Sequence, residues 1–166
     1  MIKNYAQINF MPIKNMPKTM KQLYSAILCI EQDPEHVKGA QELTLDPKFP
    51  DVGLKGTFGL FGSDAWISNL KKGVIPRQTI MGRIVRVYAT NNMDGCRKPN
   101  VIDIKVDESN EIFMEWMHLN VKSQKKYYRV GKEIHISYYI EELKSVDEQT
   151  GQHDQLKCVY EIYVEI

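Results

Sequence analysis

Alternation of apolar and polar residues dominates the second half of the chain. From residue 79 onward, apolar side chains recur at every second position, which is the period of a strand with one buried face. Segments rich in Asn, Asp, Ser and Gly interrupt the alternation and predict turns. The pattern predicts five successive strands, over residues 80–88, 101–106, 111–121, 132–141 and 156–165. The intervening turns are predicted at residues 91–95, 108–110 and 147–151.

A helical period is strongest near the N-terminus. Residues 17–32 carry apolar side chains three and four positions apart, and the proline at their start suits the first turn of a helix. We expect Asp33 to end this helix, because the residue before Pro34 is pushed out of the helical region. Residues 4–13 alternate loosely and predict an edge strand or an extended arm. Residues 35–51 are polar and predict loops.

A second, shorter helix is predicted at residues 64–72. Ser63 is a suitable N-cap for it, and Gly73 is a suitable residue at its C-terminal end. Its predicted buried side chains are Trp66, Ile67 and Leu70, which share one side of the helix. Residues 53–62, just before it, contain four glycines, and this density predicts a tight bend.

These elements predict an α+β fold that is mainly β. Five consecutive short strands without an intervening helix are typical of an antiparallel meander or a small barrel, here over residues 79–166. The N-terminal helix and the short second helix would pack on it. Residues 1–166 would form a single domain, in which residues 1–78 hold the arm, both helices and the glycine-rich bend.

One segment resembles small barrels of the OB-fold or SH3-like kind. It reads Tyr128-Arg-Val-Gly-Lys-Glu-Ile-His-Ile, and in those barrels a glycine before an alternating strand turns the chain into the barrel. The resemblance covers the architecture of residues 79–166 and identifies no individual site residue. It implies a surface that binds single-stranded nucleic acid, oligosaccharide or protein.

Composition and charge exclude several classes of protein. The hydrophobic fraction of 43% and charged fraction of 26% are those of an ordinary globular chain. A net charge of +1 is not that of a strongly basic nucleic-acid binder. The charge is unevenly distributed, since residues 91–166 carry 14 acidic against 10 basic side chains. Three widely spaced cysteines predict free thiols, and no apolar run approaches the length of a membrane span. We therefore expect a cytoplasmic protein without membrane contact.

The most distinctive chemistry lies just before the fourth predicted strand. Residues 122–132 carry five positive charges and no negative one. Basic side chains with interleaved aromatic ones suit an acidic protein surface or a nucleic-acid strand. A solvated hairpin tip with one tyrosine turned inward would have the same composition. The candidate binding residues are Lys122, Lys125, Lys126, Tyr127, Tyr128 and Arg129, joined by Arg97 and Lys98 across a barrel rim.

Two further arginines depend on the geometry of the first predicted strand. Arg83 and Arg86 are three residues apart, so in a regular strand they face opposite sides of the sheet. They would share a patch only if a bulge intervened, and Gly82 makes a bulge feasible.

A catalytic interpretation rests on His118 and His135, which both fall on predicted strands. Two histidines need a third ligand to hold a metal, and no nucleophile or metalloprotease motif accompanies them. We therefore predict a non-catalytic binding module without a cofactor or metal, an adaptor or inhibitor of a protein with an acidic surface. Single-stranded nucleic acid is the alternative partner, and a small enzyme using the two histidines is the second alternative. Formation of a homo-oligomer stays open.

Overall fold

The computed structural model describes residues 19–90 and 98–166. Over these residues the chain forms six strands, three α-helices and a 3₁₀-helix. The elements are β1 (Met20–Ser25), α1 (Ala26–Gln32), α2 (Pro34–Leu45), α3 (Asp64–Lys72), β2 (Arg77–Tyr88), β3 (Val101–Val106), β4 (Ile112–Trp116), the 3₁₀-helix (Lys122–Tyr127), β5 (Glu133–Val146) and β6 (His153–Glu165).

The strands form one antiparallel sheet in the order β1-β6-β5-β2-β3-β4. The prediction of an α+β fold is therefore confirmed, and the five predicted strands correspond to β2 through β6. The prediction of a small barrel is wrong, because the sheet is open and ends at β1 and β4. A simple meander is wrong as well, since β5 follows β4 in the chain yet lies on the opposite side of β2.

Strand β1, the one strand of the sheet that was not predicted as a strand of the barrel, lies within the first half of the predicted N-terminal helix. The prediction of helix is wrong over residues 20–25, which pair antiparallel with β6 from Met20 opposite Glu165 to Ser25 opposite Glu161. Helical geometry begins only at Ala26. Backbone pairing with a strand about 140 residues away decides the conformation here, and a local period carries no information about such a partner. The predicted arm at residues 4–13 lies outside the described residues.

Helix α2 occupies a region predicted as loops, so that prediction is wrong over residues 35–45. Asp33 ends α1 as expected, but its side chain also accepts a hydrogen bond from the backbone N–H of His36 at 3.0 Å. Proline in the next position suits the first turn of a helix. The same two residues therefore stop one helix and start another. No residue of α2 is fully buried, which explains why its sequence shows no clear apolar stripe.

Helix α3 forms as predicted. The Ser63 hydroxyl accepts from the backbone N–H of Trp66 at 3.2 Å, and Gly73 adopts the left-handed conformation that closes the C-terminal end. Trp66 and Leu70 are fully buried, whereas Ile67 is half-buried. All four glycines of the preceding bend have positive φ angles, as expected of a tight, glycine-dependent turn.

The described residues divide into two compact units. Unit 1 contains residues up to 25, 79–137 and 161–166, and unit 2 contains residues 26–78 and 138–160. The core of unit 1 includes Ile84, Ile102, Ile104, Ile134 and Ile136, all fully buried. The core of unit 2 is more aromatic, with Trp66 packed edge-on against Tyr139. The single-domain organisation stays a prediction.

Gly82 offers a test of the β2–β3 pairing. A Cβ atom added there would lie 2.3 Å from the carbonyl oxygen of Lys105 on β3, closer than any side chain can approach backbone. We expect Gly82→Ala to lower the free energy of unfolding by about 2 kcal/mol or more, because the two strands must separate. Gly39→Ala is the matched control. A Cβ atom added at position 39 meets open space on the exposed helix α2, so we expect this substitution to raise the free energy of unfolding by up to about 1 kcal/mol. Equal effects in chemical denaturation would contradict the packing argument.

Glu141 makes the stability of the chain depend on pH. Its side chain is only 2% exposed, and it accepts a hydrogen bond from the indole N–H of Trp66. Burial raises the pKa of Glu141 above its ordinary value of 4.5. The folded state therefore favours the protonated form, and its stability falls as pH rises from 4.5 through the folded-state pKa.

We expect Glu141→Gln to remove this pH-dependent loss, because an amide still accepts from Trp66 and does not ionise. The measurement is the free energy of unfolding of both proteins across the acidic and neutral range. Glu142→Gln is the control with opposite sign, since hydrogen bonds from Thr57 and Lys55 lower the pKa of Glu142. A pH profile that Glu141→Gln leaves unaltered would show that Glu141 is already ionised in the folded state.

Candidate functional site

The basic segment predicted as a loop forms the 3₁₀-helix, in unit 1. Lys122 and Lys126 are exposed and Lys125 is half-buried. Arg129 follows the helix, and its guanidinium Nε donates to the carbonyl oxygen of Lys126 at 2.7 Å. That hydrogen bond holds the arginine side chain against the end of the 3₁₀-helix. The backbone that carries the lysines is itself ordered, as a 3₁₀-helix.

Two ammonium groups lie close to the ring of Tyr127. The Nζ atoms of Lys21 and Lys126 are 4.9 and 5.4 Å from the centre of its ring. Both distances fall within the range of a cation–π contact. Lys21 comes from β1, so sequence analysis missed it by assigning that segment to a helix. We name the resulting surface the cation–aromatic cluster, which comprises Lys21, Lys122, Lys125, Lys126, Tyr127, Arg129 and Lys132.

A cleft of about 250 Å³ opens in this cluster. Its lining residues are Lys126, Tyr127, Arg129, Lys132, Glu165 and Ile166. Glu165 is its one acidic side chain, and it accepts a hydrogen bond from the backbone N–H of Glu133 at 3.3 Å. Across residues 19–90 and 98–166, none of the cluster's cations forms a salt bridge. Apart from the nearby Glu165 carboxylate, their mutual repulsion is therefore relieved by solvent, salt ions or a negatively charged partner.

Tyr128 does not belong to this surface. It is buried, and its hydroxyl donates to the carbonyl oxygen of His118 at 2.8 Å. Burial also raises the pKa of Tyr128 well above its ordinary value, so the hydroxyl stays protonated. Lys98 is exposed, and Arg97 lies outside the described residues. That these two cations join the cluster stays a prediction.

The two histidines of the catalytic interpretation each have a carboxylate partner. The Nε2 atom of His118 is 3.5 Å from Glu115, and that of His135 is 2.6 Å from Glu133. Among the described residues, no three His, Cys, Asp or Glu side chains are arranged to hold a metal ion. In that part of the chain the histidines therefore make ordinary polar pairs, and they do not assemble into a metal centre.

The arrangement of Arg83 and Arg86 follows the bulge that the sequence left open. The β2–β3 register shifts between Ile84 and Arg86, so Arg83 lies opposite Lys105 and Arg86 lies opposite Asp103. Residues two apart on β3 share a face, and the two arginines therefore do so as well. The shift comes after Gly82, which itself pairs regularly with Val106.

Comparison with known families decides between the classes of function. A family model described as "Immunity protein RhsI2" matches residues 20–165, from the first residue of β1 to the last of β6. The chain belongs to the RhsI2 immunity protein family. No curated protein matches it. In the part of the chain that the structure describes, no helix is long and apolar enough to cross a membrane.

Membership of the RhsI2 family assigns the chain to inhibitors. Immunity proteins bind a partner protein, a toxin, and do not act on it as enzymes. The predictions of a non-catalytic role and of a protein partner are confirmed at this level. The family gives no support to the nucleic-acid alternative, and it argues against the enzyme built on His118 and His135.

Tyr128→Phe separates the buried tyrosine from the binding surface. We expect the variant to lose about 1 kcal/mol of stability, since the carbonyl oxygen of His118 loses its buried donor. Binding to the toxin should be unchanged. Tyr127→Phe is the control, because it keeps the half-buried ring and should leave stability within experimental error. Chemical denaturation measures both, and equal stability of the two variants would contradict the assignment of Tyr128 to the core.

Proposed function

We propose that the chain neutralises its toxin by holding an acidic surface of that toxin on the cation–aromatic cluster. The observation that carries the proposal is the set of unpaired cations around Tyr127 in unit 1. Among the described residues these cations have no salt-bridge partner, and an acidic partner relieves their repulsion on binding.

Charge and ring contribute in different ways. Exposed ion pairs are worth at most about 1 kcal/mol each, so the cluster's cations mainly accelerate encounter with an acidic toxin. Tyr127 is half-buried, and two ammonium groups hold it in place. A tyrosine ring fixed in this way offers contact area with little entropy left to lose on binding. The ring is therefore the anchor of the cluster, and the surrounding cations orient the partner.

Charge reversal tests the cluster directly. The probe is the purified toxin that the chain binds. We expect Lys126→Glu combined with Arg129→Glu to slow association about tenfold or more and to remove much of its salt dependence. The control is Lys48→Glu combined with Lys72→Glu, which reverses two exposed lysines of unit 2 and should leave the association rate within about twofold.

Two results would contradict this use of the cluster. One is equal association rates for the two double variants, measured by stopped-flow fluorescence at low salt. The other is that a single-stranded oligonucleotide competes with the toxin for the wild-type chain at physiological salt. The second result would indicate that the cation–aromatic cluster binds nucleic acid.

A further inference from the structure

A second surface of unit 1 follows from the registers of three neighbouring strands. The β3 residues from Val101 to Lys105 each lie opposite one residue of β2 and one of β4, so the side chains line up in rows across the sheet. On one face the three rows are Arg83–Lys105–Ile112, Arg86–Asp103–Met114 and Tyr88–Val101–Trp116. We name these nine residues the β2–β3–β4 face, in which Val101 is fully buried between its neighbours. The shift after Ile84 places both arginines on this side of the sheet.

The β4 side of this face is apolar and open. Ile112, Met114 and Trp116 are 58%, 51% and 46% exposed. They lie on the last strand of the sheet. Edge strands with exposed apolar side chains tend to pair or aggregate, and proteins usually protect them with charges, prolines or covering elements. Three large apolar residues in line on an edge therefore point to a surface that is covered in the functional state.

The β2 side of this face is polar, and a buried carboxylate on β3 holds its side chains in place. Asp103 is almost fully buried, and it accepts from Arg86 Nε at 2.8 Å and from the Tyr88 hydroxyl at 3.0 Å. The Arg86 guanidinium also lies 4.0 Å from the centre of the Tyr88 ring. One carboxylate thus fixes an exposed arginine and a tyrosine in a single arrangement. Side chains that are ordered before binding lose less entropy when a partner arrives.

We infer that the β2–β3–β4 face is a docking surface for the toxin, with Trp116 and Met114 as its apolar anchors. The inference rests on the proposed function, because it takes the toxin as the partner. Trp, Tyr and Arg are the residue types that dominate binding energy at protein interfaces, and Met is enriched there. The face presents all four together. Its three cations outnumber its one carboxylate, so it favours the same acidic partner as the cation–aromatic cluster.

A second copy of the chain fits this face less well. Symmetric pairing of two β4 strands centred on Met114 needs the backbone N–H of Trp116, which already donates to the Glu115 carboxylate at 2.8 Å. A five-residue strand is also short for a stable interface, which takes about 20–30 residues a side. Stacking two copies face to face would oppose like charges. Geometry and charge therefore both favour the toxin.

The two tryptophans of the chain provide the readout. Trp66 is fully buried in unit 2, and Trp116 stands exposed in the proposed interface. The chain is labelled with fluorotryptophan, and the purified toxin is left unlabelled. Fluorine NMR then shows only these two residues, and Trp116→Phe identifies their signals. We expect toxin to shift the Trp116 signal and remove its solvent sensitivity, while the Trp66 signal stays in place and reports an intact fold.

Dissociation kinetics test the anchoring role. We expect Met114→Ala combined with Trp116→Ala to speed release of the toxin about 30-fold or more, the change typical of anchor residues, with little effect on association. Leu156→Ala combined with Val146→Ala is the control, because it removes comparably exposed apolar side chains from unit 2. It should leave the dissociation rate within about twofold.

Each outcome separates this inference from the proposed function. An unshifted Trp116 signal in a saturated complex overturns the docking face, even if charge reversal in the cluster slows association and so supports the cluster. A Trp116 signal that shifts with concentration of the free chain, together with a dimer in sedimentation, overturns it in favour of a second copy. Absence of any complex with the wild-type chain rejects both proposals.

Discussion

Both candidate surfaces depend on how the backbone of Ile84 is held. Its N–H donates to the carbonyl oxygen of Lys132 at 2.9 Å, and its carbonyl oxygen accepts from the N–H of Gly131 at 2.8 Å. These bonds join β2 to the end of the basic segment. On the other side of β2 the pairing with β3 shifts directly after Ile84, which brings Arg86 onto the same face as Arg83. One fully buried isoleucine therefore fixes Lys132 in the cluster and sets the order of residues on the β2–β3–β4 face.

The two proposed surfaces contribute to inhibition in different ways, one to association with the toxin and the other to its slow release. Cations on a solvated surface act at long range, so in the proposed complex they govern how fast an acidic toxin arrives. Apolar and aromatic side chains act only on contact, and they govern how slowly it leaves. An immunity protein needs both properties, because it must reach the toxin before damage occurs and then keep it inactive. Neither property requires a catalytic group, a cofactor or a metal.

The sequence predicts those parts of the fold that depend on local pattern. Strand β3 matches its prediction residue for residue, and α3 forms between its predicted caps, since alternation and capping are encoded by neighbouring residues. Strand β1 could not be predicted from local pattern, because its partner β6 lies at the other end of the chain. Lys21 lies on β1, so it was missing from the predicted site residues. The row of exposed apolar side chains on β4 could not be predicted for another reason. Alternation predicts two faces, but which face stays uncovered depends on the rest of the fold.

The central claim is that the chain inhibits by binding alone. The most direct measurement is a titration of toxin activity with the wild-type chain, carried out at a toxin concentration far above the dissociation constant. The account predicts that inhibition is immediate, rises linearly and ends at one equivalent, and that active toxin is recovered when the complex is separated under denaturing conditions and refolded. Progressive inactivation by much less than one equivalent would mean that the chain turns over on its target, and it would contradict the account.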